Sequence, residues 1–475
     1  MTKYLTFVLQ LVLVVTYAQS NNELLIYNAR IVQIETGVVE EGAILISGDK
    51  IKAVGSYNKL KRGVKPDRQV NAEGRYVIPG LWDMHIHLEG KDLVPDNKAL
   101  LPVFLAYGIT TVRDCASDLG EQVLQWRQEI ADGELIGPTI YTAGRKLEGK
   151  NSIWKDDLEI ENESELNEML DLLDRYKVDF VKITENTLGG NLFLKSVKAA
   201  HERGYRVSGH VPYDLTIAEL QAAGYTSVEH ASYLLRLGSD EQQIKSDLTS
   251  GTITKAQAEE KYTGGFNQNL AIQKYKELGD AGLFVCPTLI GGRQLAYLDE
   301  TNHKGDDFLN YLTDRFTSNY QWRIERMSNE TPAQRQQRKD RYLLLRDQLP
   351  LIQQSGIRII AGSDAAALNT YVYPAEALLQ ELAIFQEAGL TPLQILQNAT
   401  LNGARYFDAT DKTASIAKDH VADLVLLNEN PLSDVGALRK IHSVVKFGRY
   451  FSREELDEML RQARETKQQL DAQRK

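Results

Sequence analysis

The chain has 475 residues, 43% hydrophobic and 25% charged, a composition that excludes a disordered polypeptide and suits one large or two to three ordinary domains. A formal charge of -10, with no basic cluster, excludes nucleic acid as a partner, because that binding rests on Lys and Arg neutralising phosphates. The two cysteines, Cys115 and Cys286, lie in apolar runs, so two buried free thiols are expected rather than a disulfide framework.

The opening run MTKYLTFVLQLVLVVTYAQS has a short positive start, an apolar core over residues 5–15 and a Thr16-Tyr17-Ala18 ending. That is the layout of a secretory signal peptide, residues 1–18, cleaved after Ala18. The apolar core is too short to span a bilayer comfortably, and no Cys follows it to carry a lipid. The mature chain is therefore expected to be periplasmic or secreted and free of the membrane.

Next come short β-like runs, NELLIYNARIVQI and GAILISGDKIKAVG, with Gly and Asp at the turns. Similar material returns as VADLVLLN and SVVKFGRYF. Residues 22–75 and 413–452 thus predict a small antiparallel, sandwich-like β-domain built from both ends of the chain. Residues 76–412 form the body inserted between them, and 453–475 a C-terminal helical tail.

Within the body, eight apolar runs alternate with charged, helix-like segments such as LNEMLDLLDRYK and LTIAELQAAG. The runs cover 76–87, 109–116, 139–144, 179–184, 206–211, 227–232, 283–289 and 358–364. The pattern predicts an α/β fold, a (β/α)8 TIM barrel. An open doubly wound sheet is the alternative; strand count favours the barrel, and no GxGxxG follows a strand. Two long connections, 233–282 and 290–357, follow the sixth and seventh strands on the face where barrel active sites form. They read equally well as lids or as solvated helical decoration.

The strand ends carry the chemistry. DMHIHLEG ends the first strand with His85 and His87, two apart and so on one face. VDFVKIT places Lys182 among apolar neighbours on the fourth, YRVSGHVP ends the fifth in His210, and TSVEHAS brings His230 to the end of the sixth. IRIIAGSDA ends the eighth in Asp364. Singly, each has an ordinary explanation: a paired core lysine, a satisfied core histidine, a helix-capping aspartate. Together they converge on one mouth of one barrel, which structural residues have no reason to do. Imidazole and carboxylate ligands suit zinc or a similar divalent ion. A neutral, buried Lys182 amine could add carbon dioxide and become a carboxylated, two-oxygen ligand for two cations, burial helping by favouring the uncharged amine. His201, His303, His420 and His442 sit outside this arrangement.

The motifs VIPGLWDMHIH, GITTVRD, GPTIYTAG, VDFVKIT, SGHVP, SVEHAS, AGSDA, TPLQILQNATLNGARYF and VADLVLLNENPL resemble the amidohydrolase superfamily, specifically its imidazolonepropionase-like and Xaa-Pro dipeptidase-like hydrolases. The resemblance spans nearly the whole mature chain, the two long insertions least. It implies two divalent metal ions, zinc by expectation: His85 and His87 on the more buried one with Asp364 nearby, His210 and His230 on the second, and carboxylated Lys182 shared. Imidazolonepropionase itself resembles the chain but uses one metal and lacks the bridging lysine, so Lys182 points to the two-metal branch. The run ASIAKDHVADLV departs from the GSIxxGKxADLV-like pattern of relatives and touches no ligand.

The expected reaction is hydrolysis of an amide C–N bond in a dipeptide or N-acyl amino acid, with hydroxide held between the cations and Asp364 as general acid and base. Tyr213, Tyr233 and Arg145 are candidates by location for holding a substrate carboxylate. A cyclic-amide hydrolase and a non-catalytic metal-bound binding protein stay open as alternatives, as does a homo-oligomer.

Overall fold

The computed structural model describes residues 23–62, 64–154 and 156–474; the expected export signal lies outside them. Five strands open the described chain: β1 (Glu23–Val32), β2 (Val39–Ser47), β3 (Lys50–Gly55), β4 (Arg68–Asn71) and β5 (Tyr76–Pro79). Strand periodicity sorts their side chains. Leu24 and Ile26 of β1 pack with Ile44 and Ile46 of β2 on one face, while Leu25 meets Ala43, Leu45 and Leu60 on the other.

The barrel strands follow: β6 (Leu81–Ile86), β7 (Ile109–Asp114), β8 (Thr139–Thr142), β9 (Leu147–Gly149), β10 (Leu158–Ile160), β11 (Val181–Ile183), β12 (Val207–Gly209), β13 (Tyr225–Glu229), β14 (Phe284–Cys286) and β15 (Arg358–Ile359). Each of the eight apolar runs supplies a strand, and β9 and β10 are additions beside β11. β6, β7 and β8 pair in parallel, as do β11 to β15. Backbone bonds cross the two joints between these sets. Met84 N donates to Ala361 O (2.8 Å), Asp364 N to His85 O (2.7 Å), and Asp179 N to Thr142 O (2.9 Å). The architecture is a (β/α)8 barrel with an attached β-domain. Cys115 and Cys286 are buried and unpaired.

The chain returns to the first sheet with β16 (Leu424–Leu427), β17 (Ile441–Lys446) and β18 (Arg449–Phe451). The strand order is β18-β17-β16-β5-β1-β2-β3, with β4 also on β1, so both chain ends share one sheet. Two expectations are corrected. The sheet is mixed, since β1 runs parallel to both β4 and β5. Moreover Tyr76–Pro79 pairs with β1 and β16, which moves the junction from between 75 and 76 to Gly80. There Gly80 N donates to Asp423 O of the sheet and Leu81 N to Gly108 O of the barrel (2.9 and 3.0 Å). A Cβ on Gly80 would fall 2.0 Å from Thr110 Oγ1, so only glycine passes there. The break is hidden in the sequence because both halves of YVIPGLWDMHIH are buried strands.

Both long connections are helical. The first holds a 3-10 helix (Ala231–Gly238) and helices Glu241–Thr249, Lys255–Gly264 and Gln268–Asp280; the second runs from Leu289–Ala296 to the 24-residue helix Pro332–Ser355. Helix Arg453–Gln473 packs along helix Val94–Ala106, and Arg474 pairs with Asp96 (2.6 Å). Among the described residues no helix is long and apolar enough to cross a membrane.

One buried cation joins sheet to barrel. Lys446 Nζ, on β17, donates to Asp423 Oδ2 (2.7 Å), to Thr110 O (2.9 Å) and to Thr139 Oγ1 (2.6 Å). Burial draws its pKa down against the pull of Asp423. Lys446→Met strands the Asp423 carboxylate in the interface and should destabilise the protein by about 3–5 kcal/mol. A lowered denaturation midpoint checks this; an unchanged midpoint removes the pair as the joint.

Candidate metal centre

Each expected ligand leaves the barrel at the same end. His85 lies within β6 and His87 just beyond it; Lys182 is the middle residue of β11; His210 and His230 directly follow β12 and β13. Asp364 lies beyond β15 and caps no helix, the next one beginning at Glu376. Two of these turns use left-handed backbone outside glycine, at His230 (φ 78°) and Asp364 (φ 58°), a strain that functional sites commonly hold. At Gly209 a Cβ would fall 1.9 Å from Ile183 O, so glycine alone lets β12 run close enough to set His210 beside Lys182's strand.

The structure brings all six together. A cavity of about 650 Å³ is lined by His87, Lys182, His210, His230 and Asp364, with His85 buried behind it. His85 Nε2 lies 3.3 Å from His87 Nε2 and 3.3 Å from Asp364 Oδ1, and His87 Nε2 lies 3.2 Å from the same oxygen. His210 Nε2 and His230 Nε2 are 3.2 Å apart, and the rings of His85 and His230 are 5.1 Å apart.

The other nitrogen of each ring is pinned. His85 Nδ1 donates to Glu229 Oε2 (2.7 Å), His87 Nδ1 to Ala116 O (2.9 Å) and His210 Nδ1 to Glu185 Oε2 (2.8 Å), while His230 Nδ1 meets Thr288 Oγ1 (2.7 Å). A carboxylate or carbonyl only accepts, so three of these contacts place the proton on Nδ1 and leave Nε2 as a bare lone pair. The pins are themselves fixed. Glu229 takes Arg113 NH2 at 2.8 Å and Ser227 Oγ at 2.5 Å, and Glu185 takes the Tyr233 hydroxyl at 2.7 Å. Burial alone would raise both carboxyls; Arg113 with His85 holds Glu229 well below its usual range, and His210 with Tyr233 brings Glu185 to about 2.

This arrangement sets acceptors against one another. The Nε2 lone pairs of His85 and His87 and the Asp364 carboxylate share a space barely 3.3 Å across. A proton on His87 settles its own contact with Asp364 but not the remaining ones, whereas a cation between the three settles all. Burial and the Lys182 charge lower the His85 pKa to about 4, and burial likewise puts that of His230 well below normal, so neither supplies a proton near neutrality. Asp364 is held well below the usual carboxylate range by His85 and His87 despite its burial. His85, His87 and Asp364 accordingly form a three-donor group with the spacing of an ion site.

Lys182 supplies the second observation. It is 2% exposed, and its Nζ has no hydrogen-bond partner. A bare ammonium left so would cost several kcal/mol. A carboxylated amine shared by cations would fill the position with the opposite charge, and the residues present fit such a centre.

The three proposed substrate groups separate. Arg145 lines the cavity, with Nε donating to Asp156 O (2.5 Å). Tyr233 acts on His210 through Glu185 rather than on the cavity. The Tyr213 hydroxyl is spent on Glu259 in a neighbouring pocket. Sequence reasoning missed Glu229, Glu185, Arg113 and Thr288. The signal for the first two was there: a carboxylate inside an apolar strand run, next to His230 in SVEHAS and three residues after Lys182 in VKITE.

Residues 76–451 match the model of the amidohydrolase family. Among solved structures, bottromycin amidohydrolase is similar at 18% identity over 94% of this chain and 91% of its own, with TM-score 0.72. A Xaa-Pro dipeptidase with bound methionine in the active site is similar at 19%, over 90% and 100%, with TM-score 0.64. Ochratoxinase of A. niger matches at 18%, over 91% and 96%, with TM-score 0.62. These likenesses concern the fold. Adenine deaminase of Geobacillus kaustophilus is 35% identical over 94 residues, 20% of this chain and 15% of that protein, and the one of Listeria monocytogenes serovar 1/2a 25% identical over 46% and 35%. The chain thus spans well under half the length of these curated relatives.

Glu185→Gln removes the charge that fixes His210, and should weaken metal binding about 10- to 100-fold. Competition with a chelator measures it; unchanged affinity would show that the Glu185 contact does not prepare His210 as a ligand.

Proposed function

The chain belongs to the amidohydrolase family, and from that premise we propose that it is an exported, metal-dependent hydrolase that cleaves an amide C–N bond in a dipeptide or N-acyl amino acid. The observation that carries this reading is the unpartnered, buried Nζ of Lys182 among four histidines and Asp364 around one cavity. Export is part of the proposal on the strength of residues 1–18.

His85, His87 and Asp364 would hold one divalent cation and His210 and His230 another, with carboxylated Lys182 serving both. When bound, such cations polarise a scissile carbonyl and lower the pKa of water to near neutrality. The chain's own residues do the rest. The hydrogen bonds at Nδ1 fix the orientation of the imidazoles and leave Nε2 as the atom that faces the cavity. Asp364, ionised at neutral pH, takes a proton from the attacking water and returns it to the departing amine nitrogen, which must leave protonated. A cavity of about 650 Å³ suits a dipeptide-sized substrate.

Metal analysis of the purified protein should find about two ions per chain. About one would favour a single-metal cyclic-amide hydrolase, and none an inactive scaffold. A screen of dipeptides, N-acyl amino acids, cyclic amides and adenine on the zinc-loaded protein tests the substrate; turnover of the cyclic amides or adenine alone would overturn the reading. Asp364→Asn should keep most of the metal while kcat falls about 10²- to 10⁴-fold. Near-normal turnover would remove Asp364 from proton transfer.

A further inference from the structure

The second insertion reaches the cavity. Its helix Gln321–Ser328 lays Arg323 in the wall, and Arg315 and Asn319 line it too. Arg323 NH2 donates to Asn369 Oδ1 (3.0 Å), and Asn369 Nδ2 donates to the backbone oxygen of Asp364 (2.6 Å). The guanidinium is thereby tied to the segment that carries the proton-transferring carboxylate.

Its charge lies over the Trp322 ring, 4.9 Å from the centroid, and meets no carboxylate among the described residues. Lys91 pairs with Asp156 (2.6 Å), Lys146 with Asp157 (2.9 Å), and Arg315 with Asp92. Arg323 has a neutral amide as its polar partner and, among the described residues, no ion pair. Arg145 is also unpaired, but it is anchored to Asp156 O and its charge bears on Glu121 and Tyr176, away from Asp364. Burial lowers the Arg323 pKa, and the foremost charge opposing this is Asp364. A guanidinium stays protonated even so. It is a fork of donors facing the cavity, on the side that carries Asp364.

Trp322, beside Arg323, donates from Nε1 to Leu368 O (3.3 Å), which holds this helix against the segment that follows Asp364. We propose that Arg323 receives the α-carboxylate of the departing amino acid, and that the site accordingly takes dipeptides and N-acyl amino acids with a free C-terminus. This deepens the hydrolase reading and rests on it. In an amino acid the carboxylate carbon lies two bonds from the amine nitrogen, so the groups that protonate one and hold the other belong on a single wall. Arg suits a carboxylate because its fork can bind both oxygens at once.

N-acetylphenylalanine and N-acetylphenylalaninamide, with the zinc-loaded protein, separate the possibilities. The unaltered protein should favour the acid. In Arg323→Met the ratio of kcat/KM for acid over amide should fall about 10- to 100-fold, through KM, and Arg323→Lys should restore part of it. A ratio unchanged in Arg323→Met, or equal losses for both compounds, overturns the proposal. Calorimetry of the two compounds gives a readout independent of turnover. Acid-selective binding that Arg323→Met abolishes, without hydrolysis by any variant, would uphold Arg323 while sinking the hydrolase reading. Acid binding unaffected by the substitution would sink Arg323 alone.

Discussion

The centre is governed by hydrogen bonds on the side of each imidazole that faces away from the cavity. With Glu229, Glu185 and the Ala116 carbonyl accepting from Nδ1, His85, His210 and His87 turn Nε2 to the cavity, His85 and His87 toward each other and Asp364, and His210 toward His230. Repulsion between acceptors is then built into the fold. Positive charge relieves it, which is why the remaining features make sense as a set. Arg113 keeps Glu229 ionised at the barrel's heart, Tyr233 secures Glu185, and left-handed backbone at His230 and Asp364 is tolerated where it turns a ligand inward.

Much of this could be read from the chain because a barrel converts linear position into spatial position. A histidine at a strand's C-terminal end can face only one mouth, so His85, His87, His210 and His230 could be placed together without coordinates. What the rule cannot supply is what stands behind a ligand. Thr288 reaches His230 from 58 residues away, and Glu229 reaches His85 from 144. Tyr213 misled for the same reason: its position beyond a strand end was right, but its hydroxyl is consumed by Glu259 from an insertion helix. Arg323 carried no signal at all, being one of many charged residues in QWRIERMSNE, and only the packing of that helix against Leu368 and Asn369 distinguishes it. The junction at Gly80 escaped because two consecutive buried strands look like one.

The molecule divides its tasks by depth. Near the sheet, side chains such as Lys446 and Asp423 bind two bodies together through fully satisfied polar contacts. At the other end, the charged Lys182 side chain is buried with its Nζ left without a partner. The strand ends carry the candidate ligands, and the second insertion adds Arg315, Asn319 and Arg323 to the cavity wall. Chemistry and selectivity can therefore change independently here, one on strand ends and the other on helices hung between them.

The sheet that unites β1 with β16 has a consequence for how the protein comes into being. Its first five strands leave the ribosome before the barrel, yet the strand that β5 pairs with on its other edge begins only at Leu424. The nascent amino-terminal strands must therefore wait, unpaired along that edge, while more than three hundred residues are synthesised. Helix Arg453–Gln473, whose capping residue Arg474 grips Asp96, follows those strands in the chain. Such long-range closure makes for slow folding, because the entropy of closing the loop is lost before the distant pairing rewards it.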